Sequence, residues 1–565
     1  MRRLPAVIFT CLAACRAESP TSLRTPRVMA SAPAPPRAFA ATPTRAIVRL
    51  RPDANREGRA IAELRFEGAL APTSLRFQPT HDVRVEEVVF RDAKGSLDVE
   101  TASEEQGGRP AWTRFDLSRP PTRWLEVRYA VVLGPATDGY SPLAEPIELR
   151  GGGEDLLVLP VAPPAGEEPV PIELHLGTSG SGVEAASSFG LGVHQLVTAR
   201  LSDLRRAWFL VGDVGTAKFH ASDGDDVAAW LGYTAFDPRW VSAEAAGIRS
   251  AVDAWVGRSP SPSAPPLSFL ITAAPVGAKG TPSIAVASRT RGLVVAADRR
   301  APWTATARVL VAQALVQRYV GGFLWVGDRS DETSGLFFSD GFSRAIAREV
   351  LFESGLLDHA ERATEMNRLL SAVTFSEDPR QLATARGALL ASSLDHALRA
   401  RSRGARSLRT FIRERLAEAA SAKEDTISLA DFTAKVRESA GDAAATELET
   451  VLQRGTEVSL PKDLLGRCWT LVRRQLVQFE LGFVTSAGQD MVVESVKPGS
   501  RAEAAGLRVG DVIEQLHYEE GRSSVPVEMR IRRGERAMRL RYVPAGAAKP
   551  GRIFERTPGI PDERC

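Results

Sequence analysis

The sequence predicts an α+β multidomain protein. Three observations carry this. Short alternating apolar runs, punctuated by Gly, Pro and Asp, fill the chain from Arg45 to about residue 180. A region of helical periodicity runs, with breaks, from near Trp303 to about Gln453. A last small unit from about Phe479 to Val543 returns to strand alternation and glycine turns. At 565 residues and 44% hydrophobic, the chain has material for several cores and too much for one.

The first residues read as a processing signal. Arg2 and Arg3 precede a short apolar stretch, 4–14, too short to span a membrane. It ends Leu12-Ala13-Ala14-Cys15. This resembles the bacterial lipobox, where signal peptidase II cleaves before a cysteine that carries lipid. Residues 1–14 are therefore expected to be a lipoprotein signal peptide and Cys15 the lipidated residue. An ordinary secretory peptide, or a chance Cys15, is the alternative. Residues 15–44, rich in Pro, Ala, Ser, Thr and Arg, have little to bury and read as a flexible tether.

The β-domain is expected over 45–180, with strands at 46–50, 61–66, 83–90, 124–129, 156–160 and 172–176. A strand at 206–212, helices at 226–231 and 242–256, and a strand at 267–272 suggest a mixed αβ lobe. Helices at 342–354, 360–374, 382–401, 408–420 and 429–438 form the helical lobe beside it. The two lobes together span 181–455, an arrangement that suits a cleft. Residues 456–545 are read as a linker helix and a small β-unit, and 546–565 as a loose Pro/Gly/Arg-rich tail.

Composition excludes several classes. A formal charge of +3 names no polyanionic partner, and the basic pairs Arg299-Arg300 and Arg532-Arg533 lack the aromatic interleaving of a nucleic-acid surface. Four cysteines form neither a disulfide framework nor a metal knuckle. Cys468, in an apolar run, reads as a buried thiol, with a bridge to Cys565 left open. No Gly-x-Ser-x-Gly elbow occurs, and 277–281 reads as a turn rather than a phosphate loop.

Three motifs carry a resemblance: Gln313-Ala314-Leu315-Val316-Gln317 with Val320-Gly321-Gly322; Leu336-Phe337-Phe338-Ser339-Asp340-Gly341-Phe342-Ser343; and Ala385-Arg386-Gly387-Ala388-Leu389-Leu390 leading to Leu394-Asp395, Arg399 and Ser407-Leu408. In order, they resemble the M61 glycyl aminopeptidase family, related to the M1 aminopeptidases and thermolysin-like gluzincins. The resemblance covers roughly 45–545. It implies an N-terminal β-domain, a thermolysin-like αβ/helical domain and a C-terminal PDZ domain. It also implies a zinc helix His-Glu-x-x-His, a third ligand Glu and an oxyanion-stabilising Tyr. Here those positions are Gln313, Ala314, Gln317, Asp340 and Thr384. Neutral amides are poor Zn²⁺ ligands, and Ala314 accepts no proton. Asp340 is one methylene short, and Thr384 has little reach. None of the seven histidines pairs at helix-face spacing, so a rescued metal site would need distant residues converging on Asp340.

At the C-terminal end, Glu480-Leu481-Gly482-Phe483, Pro498–Leu507 and Gly510-Asp511-Val512-Ile513 resemble a bacterial PDZ unit. Leu481, Gly482 and Phe483 form its candidate carboxylate-binding loop. Leu516 runs almost directly into Val527, which leaves little room for the second helix of such a unit. The sequence thus leads to an inactive, peptidase-shaped envelope lipoprotein without cofactor or metal, binding proteins or peptides through its cleft or PDZ-like unit, a membrane through its lipid, and no nucleic acid. The alternative is a metalloaminopeptidase with an unconventional metal site.

Overall fold

The computed structural model describes residues 44–106, 109–136, 138–161, 168–177, 184–221, 224–257, 267–274, 283–329, 335–422, 424–486, 491–519 and 521–561. The signal peptide, Cys15, the tether before residue 44, the turn at 277–281 and Cys565 lie outside them. No helix among the described residues is long and apolar enough to cross a membrane.

Alternation builds the first region. Arg59–Glu67 places every second side chain inward, and Leu64 and Phe66 lie at the centre of the core. Its sheet has the strand order His194–Ala199, Val170–Leu176, Arg45–Pro52, Arg59–Glu67, Trp124–Leu133, Val83–Asp92, Gly95–Ser96. All pairs in it are antiparallel except Arg45–Pro52 with Val170–Leu176. A four-stranded sheet and a five-stranded sheet complete the region, and residues from all three share one apolar cluster around Phe77, Phe115, Leu149 and Phe209. The β-region therefore reaches Gly212, past the expected boundary at 180. The strands after 180 are short, and their long-range pairing leaves no local mark. The expected strand at 156–160 is shorter too: α1 (Gly153–Leu156) ends before a two-residue strand, Leu159–Pro160. The next helix, α2, is Leu201–Arg205.

The αβ lobe holds a five-stranded sheet with α3 (Pro238–Val256) packed on it. Asp237 caps α3, accepting from Arg239 N at 2.8 Å, with Pro238 in the first turn. The expected helix at 226–231 is instead part of strand Gly224–Leu231, parallel to Ser268–Ala274. A short continuous apolar run suits a sheet strand covered on both faces. Asp226 opens the run and pairs with the buried Arg249 of α3.

The helical lobe follows the periodicity closely: α4 (Ala305–Val316), α5 (Ser343–Glu353), α6 (His359–Phe375), α7 (Pro379–Ser402), α8 (Leu408–Ala422), α9 (Leu429–Ala440) and α10 (Asp442–Arg454). Local caps set several starts. Asp358 and Glu361 form a capping box on α6, Asp378 precedes Pro379 on α7, and Ser428 caps α9.

No linker helix occurs after residue 455 among the described residues. Trp469–Phe479 is a strand, paired along its length with Ala545–Arg556. The expected loose tail is thus half of a two-stranded arm. Asn367 of α6 clamps it, donating to Phe554 O at 2.9 Å and accepting from Phe554 N at 2.7 Å. Phe554 is buried in the helical-lobe core. Polar composition suggested a tail because the arm anchors through one aromatic residue and backbone pairing. Cys468, at the base of the arm, is disulfide-bonded and not a free thiol. Thr557 N donates to its carbonyl at 2.9 Å. Between the arm strands lies a five-stranded sheet with α11 (Arg501–Ala504) and its own core of Phe483, Met491, Ile531 and Tyr542.

One polar knot fixes a corner of the β-region. Asp155, fully buried, accepts from Thr80 N at 2.7 Å and His81 N at 3.1 Å, and contacts His81 Nδ1 at 2.7 Å. His81 Nε2 meets Asp138 at 3.2 Å. Burial opposes charge on His81, but hydrogen bonds to Asp138 and Asp155 outweigh it and raise its pKa from 6.5 to about 9. A raised folded pKa stabilises fully below 6.5, and the contribution disappears as pH rises through about 9. The effect amounts to about 2 kcal/mol, since Asp138 is half exposed and screened. Native-state hydrogen exchange across 125–160 should show an excess of protection over His81→Ala that shrinks over this pH window.

Candidate functional site

The three motifs meet in one place. α4 ends at Val316, and Gln317 is its cap residue. Its N–H still donates to Gln313 O at 2.8 Å, so the two glutamines keep neighbouring positions one turn apart. Ala314 points into the core and is 2% exposed. The chain then turns through Gly321, whose φ is +100°. A methyl group there would lie 2.6 Å from Ser339 Cβ, so the turn rests directly on the second motif.

That second motif is a π-helical turn, Phe337–Phe342, running into α5. Such turns displace one residue from regular helical register. Phe337, Phe338 and Phe342 turn inward and pack edge-on against Phe432 of α9. Ser343 Oγ donates to Val320 O at 3.0 Å. Asp340 is left on the side that faces the glutamines. Gly341 crosses α7 at Gly387: a methyl on Gly341 would be 2.6 Å from Gly387 Cα, and one on Gly387 would collide with the Phe337 carbonyl. Backbone meets backbone here.

The polar geometry is specific. Gln317 Nε2 donates to Asp340 Oδ1 at 2.6 Å, and Gln313 Nε2 donates to Asp340 O at 3.2 Å. Gln313 Oε1 is buried without a partner among the described residues. Burial pushes the Asp340 carboxyl above the ordinary range, against the hydrogen bonds from Gln317 and Ser339 and the charge of Arg380. Thr384 lies on α7 one turn before Gly387, and its hydroxyl donates to Arg380 O at 2.9 Å. The third motif is structural. Asp395 bonds Arg399 Nε at 2.7 Å and accepts from Leu408 N at 2.7 Å, tying α7 to the first turn of α8.

These residues do not fit the zinc ion that the resemblance implies. A metal ligand offers a lone pair; Gln317 offers an N–H, and offers it to the one carboxylate present. Among the described residues, the group of His, Cys, Asp and Glu side chains close enough to share a metal is Glu173, His175 and His194, in the β-region and not at Asp340. Sequence spacing missed it because His175 and His194 meet across strands. Glu173 and His175, two apart on a strand, were the legible half of the signal.

In the C-terminal unit, the loop at Leu481, Gly482 and Phe483 is tied inward. Leu481 O accepts from Tyr542 OH at 2.6 Å, and Gly482 O accepts from Lys497 N at 2.9 Å. Phe483 is buried and pairs with Val496 on the edge strand Phe483–Thr485. Strand Val512–His517 pairs directly with Val527–Arg533, and no helix lies between them among the described residues.

The crossing of the two glycines generates a prediction. Gly387→Ala should destabilise the chain by about 3 kcal/mol or more, because neither backbone can retreat. Gly247, exposed on α3 with open space around it, is the control. Gly247→Ala should raise stability by roughly 0.5–1 kcal/mol. Thermal unfolding of the two variants beside the parent measures both.

The chain matches no protein-family model and no curated protein sequence. Among solved structures, it is similar to an aminopeptidase N family protein from Idiomarina loihiensis, with a TM-score of 0.63 and 15% identity over 90% of this chain and 98% of that one. It is also similar to a mutant M1 zinc metallopeptidase from Deinococcus radiodurans bound to a Tyr-Ser-Ala substrate, with a TM-score of 0.46 and 15% identity over 75% of this chain and 96% of that one. The first likeness spans nearly the whole described chain, and the β-rich region followed by a helical domain is an aminopeptidase N-like, peptidase-type fold.

Proposed function

We propose that the chain is an inactive M61-like pseudopeptidase that acts as a protein-interaction or scaffolding lipoprotein of the bacterial cell envelope. One observation carries the reading: the Asp340 carboxylate accepts the Gln317 amide N–H, and the Asp340 main-chain carbonyl accepts that of Gln313, where a metalloenzyme needs lone pairs. Ala314 supplies no base, and the Thr384 hydroxyl is turned to its own helix. What such a pocket can do is bind. A buried carboxylate with its charge incompletely balanced accepts an amino group, and Gln313 Oε1 is a second acceptor beside it. A peptide amino terminus is the matching ligand class. The C-terminal unit, read as PDZ-like, supports a weaker surface: its edge strand ends the sheet, but no helix walls a groove beside it among the described residues. The disulfide at Cys468 suits an oxidising compartment outside the cytoplasm. The alternative, a metalloaminopeptidase with an unconventional site, draws on the fold likeness alone.

The purified chain should hydrolyse no peptide and hold no zinc that depends on Asp340. One tightly bound zinc per chain, lost in Asp340→Ala, would refute the reading. The triple variant Gln313→His, Ala314→Glu, Gln317→His should gain zinc at this position without gaining peptidase activity, because Thr384 remains. Metal analysis and a peptide-release assay on the same preparations decide both points.

Placement is tested separately. Intact mass after membrane extraction should show Cys15 as the lipid-bearing first residue; a soluble product cut elsewhere would remove the anchor from the proposal. Envelope proteins with free amino termini should be captured by the intact chain and lost in Asp340→Ala. Capture unaffected by that change would move the interaction away from the cleft.

A further inference from the structure

Strands Val170–Leu176 and His194–Ala199 run antiparallel, with His175 directly opposite His194. Glu173, two residues before His175, projects from the same face. The imidazole rings stack with centroids 4.7 Å apart. Both Nε2 atoms meet one oxygen, Glu173 Oε1, at 2.7 Å from His175 and 3.2 Å from His194. One ligand atom from each of the three residues lies within 4.8 Å of the others.

We propose that Glu173, His175 and His194 bind a divalent transition-metal ion of the zinc class in the β-region, away from the Asp340 position. Two imidazoles and a carboxylate suit Zn²⁺, Cu²⁺ or Ni²⁺; Ca²⁺ and Mg²⁺ prefer oxygen alone. The shared Oε1 marks where the ion enters. Both Nε2 atoms now face that oxygen; an ion bound there would take their lone pairs, with each neutral ring carrying its proton on Nδ1, so protons compete with the ion for these ligands. Glu173 Oε2 lies 3.7 Å from Arg45 Nη1, which orients the carboxylate and leaves Oε1 to the metal. Arg45 itself is fixed by Glu67 at 2.7 Å.

The site is open. Side-chain exposure is 23% for Glu173, 35% for His175 and 51% for His194. Three protein ligands leave a coordination position for water or an outside ligand, and a groove lined by Arg49, Arg51, Val193 and both histidines adjoins it. His194–Ala199 is the edge strand of the sheet. Ligation across the strand pair would clip that edge to its neighbour, holding it where it would otherwise fray.

The test uses untagged full-length chain, stripped with chelator and titrated with Zn²⁺ by calorimetry. One ion per chain is expected. His194→Ala, at a half-exposed position that the fold tolerates, and Glu173→Gln should each weaken binding by about 100-fold or more, a ligand counting for at least as much as its supports. Asp340→Ala should leave affinity unchanged. Absence of saturable binding, or binding that survives His175→Ala with His194→Ala, overturns the proposal. Zinc lost only in Asp340→Ala overturns it too, and with it the inert reading of the cleft; zinc lost only in the histidine variants supports this site and leaves that reading standing.

Discussion

The contact of Gly341 with Gly387 is the constraint around which the centre of the molecule is arranged. Two backbones at that distance leave no room for a Cβ on either side. The crossing fixes the π-helical turn against α7, and the turn fixes which way Asp340 faces. Gly321 then seats the end of α4 on Ser339, so the two glutamines reach the same residue, Gln317 its carboxylate and Gln313 its main-chain carbonyl. Downstream, Asp395 carries the position of α7 into the start of α8. The inward phenylalanines fill the space behind, against Phe411 and Phe432. A site for an ion needs this rigidity. The chain keeps the rigidity with a donor set that holds a carboxylate instead.

That exchange is consistent in energy. A buried carboxylate is costly unless hydrogen-bonded, and Gln317, one helical turn from Gln313, supplies a donor without adding charge. Ala314 between them joins the apolar core.

Much of this was legible in the sequence, and the division follows locality. Helices α6, α7 and α9 begin within three residues of the sequence reading because Asp358, Asp378 with Pro379, and Ser428 are local caps. The glutamines, Asp340 and Thr384 were singled out by the family resemblance of the three motifs. What escaped was non-local. The run 226–231 is apolar without a period, and only the parallel partner at Ser268–Ala274 makes it a strand. The β-region closed beyond 180 through pairings across the whole domain. The supposed tail had no apolar stripe, yet Phe554 and Asn367 seat it. His175 and His194 stand nineteen residues apart and become neighbours through strand register alone.

The two-stranded arm has a consequence for how this chain could arise and be altered. Phe479 and Ala545 are register partners, so the C-terminal sheet leaves and rejoins the body at adjacent positions. Its core is a cluster of its own, and its ends are already as close as those of a hairpin. It has the geometry of an inserted cassette: another unit with neighbouring termini could replace it without redirecting either strand of the arm. Diversification at this end can therefore proceed by exchange of whole modules while the peptidase-like body stays as it is.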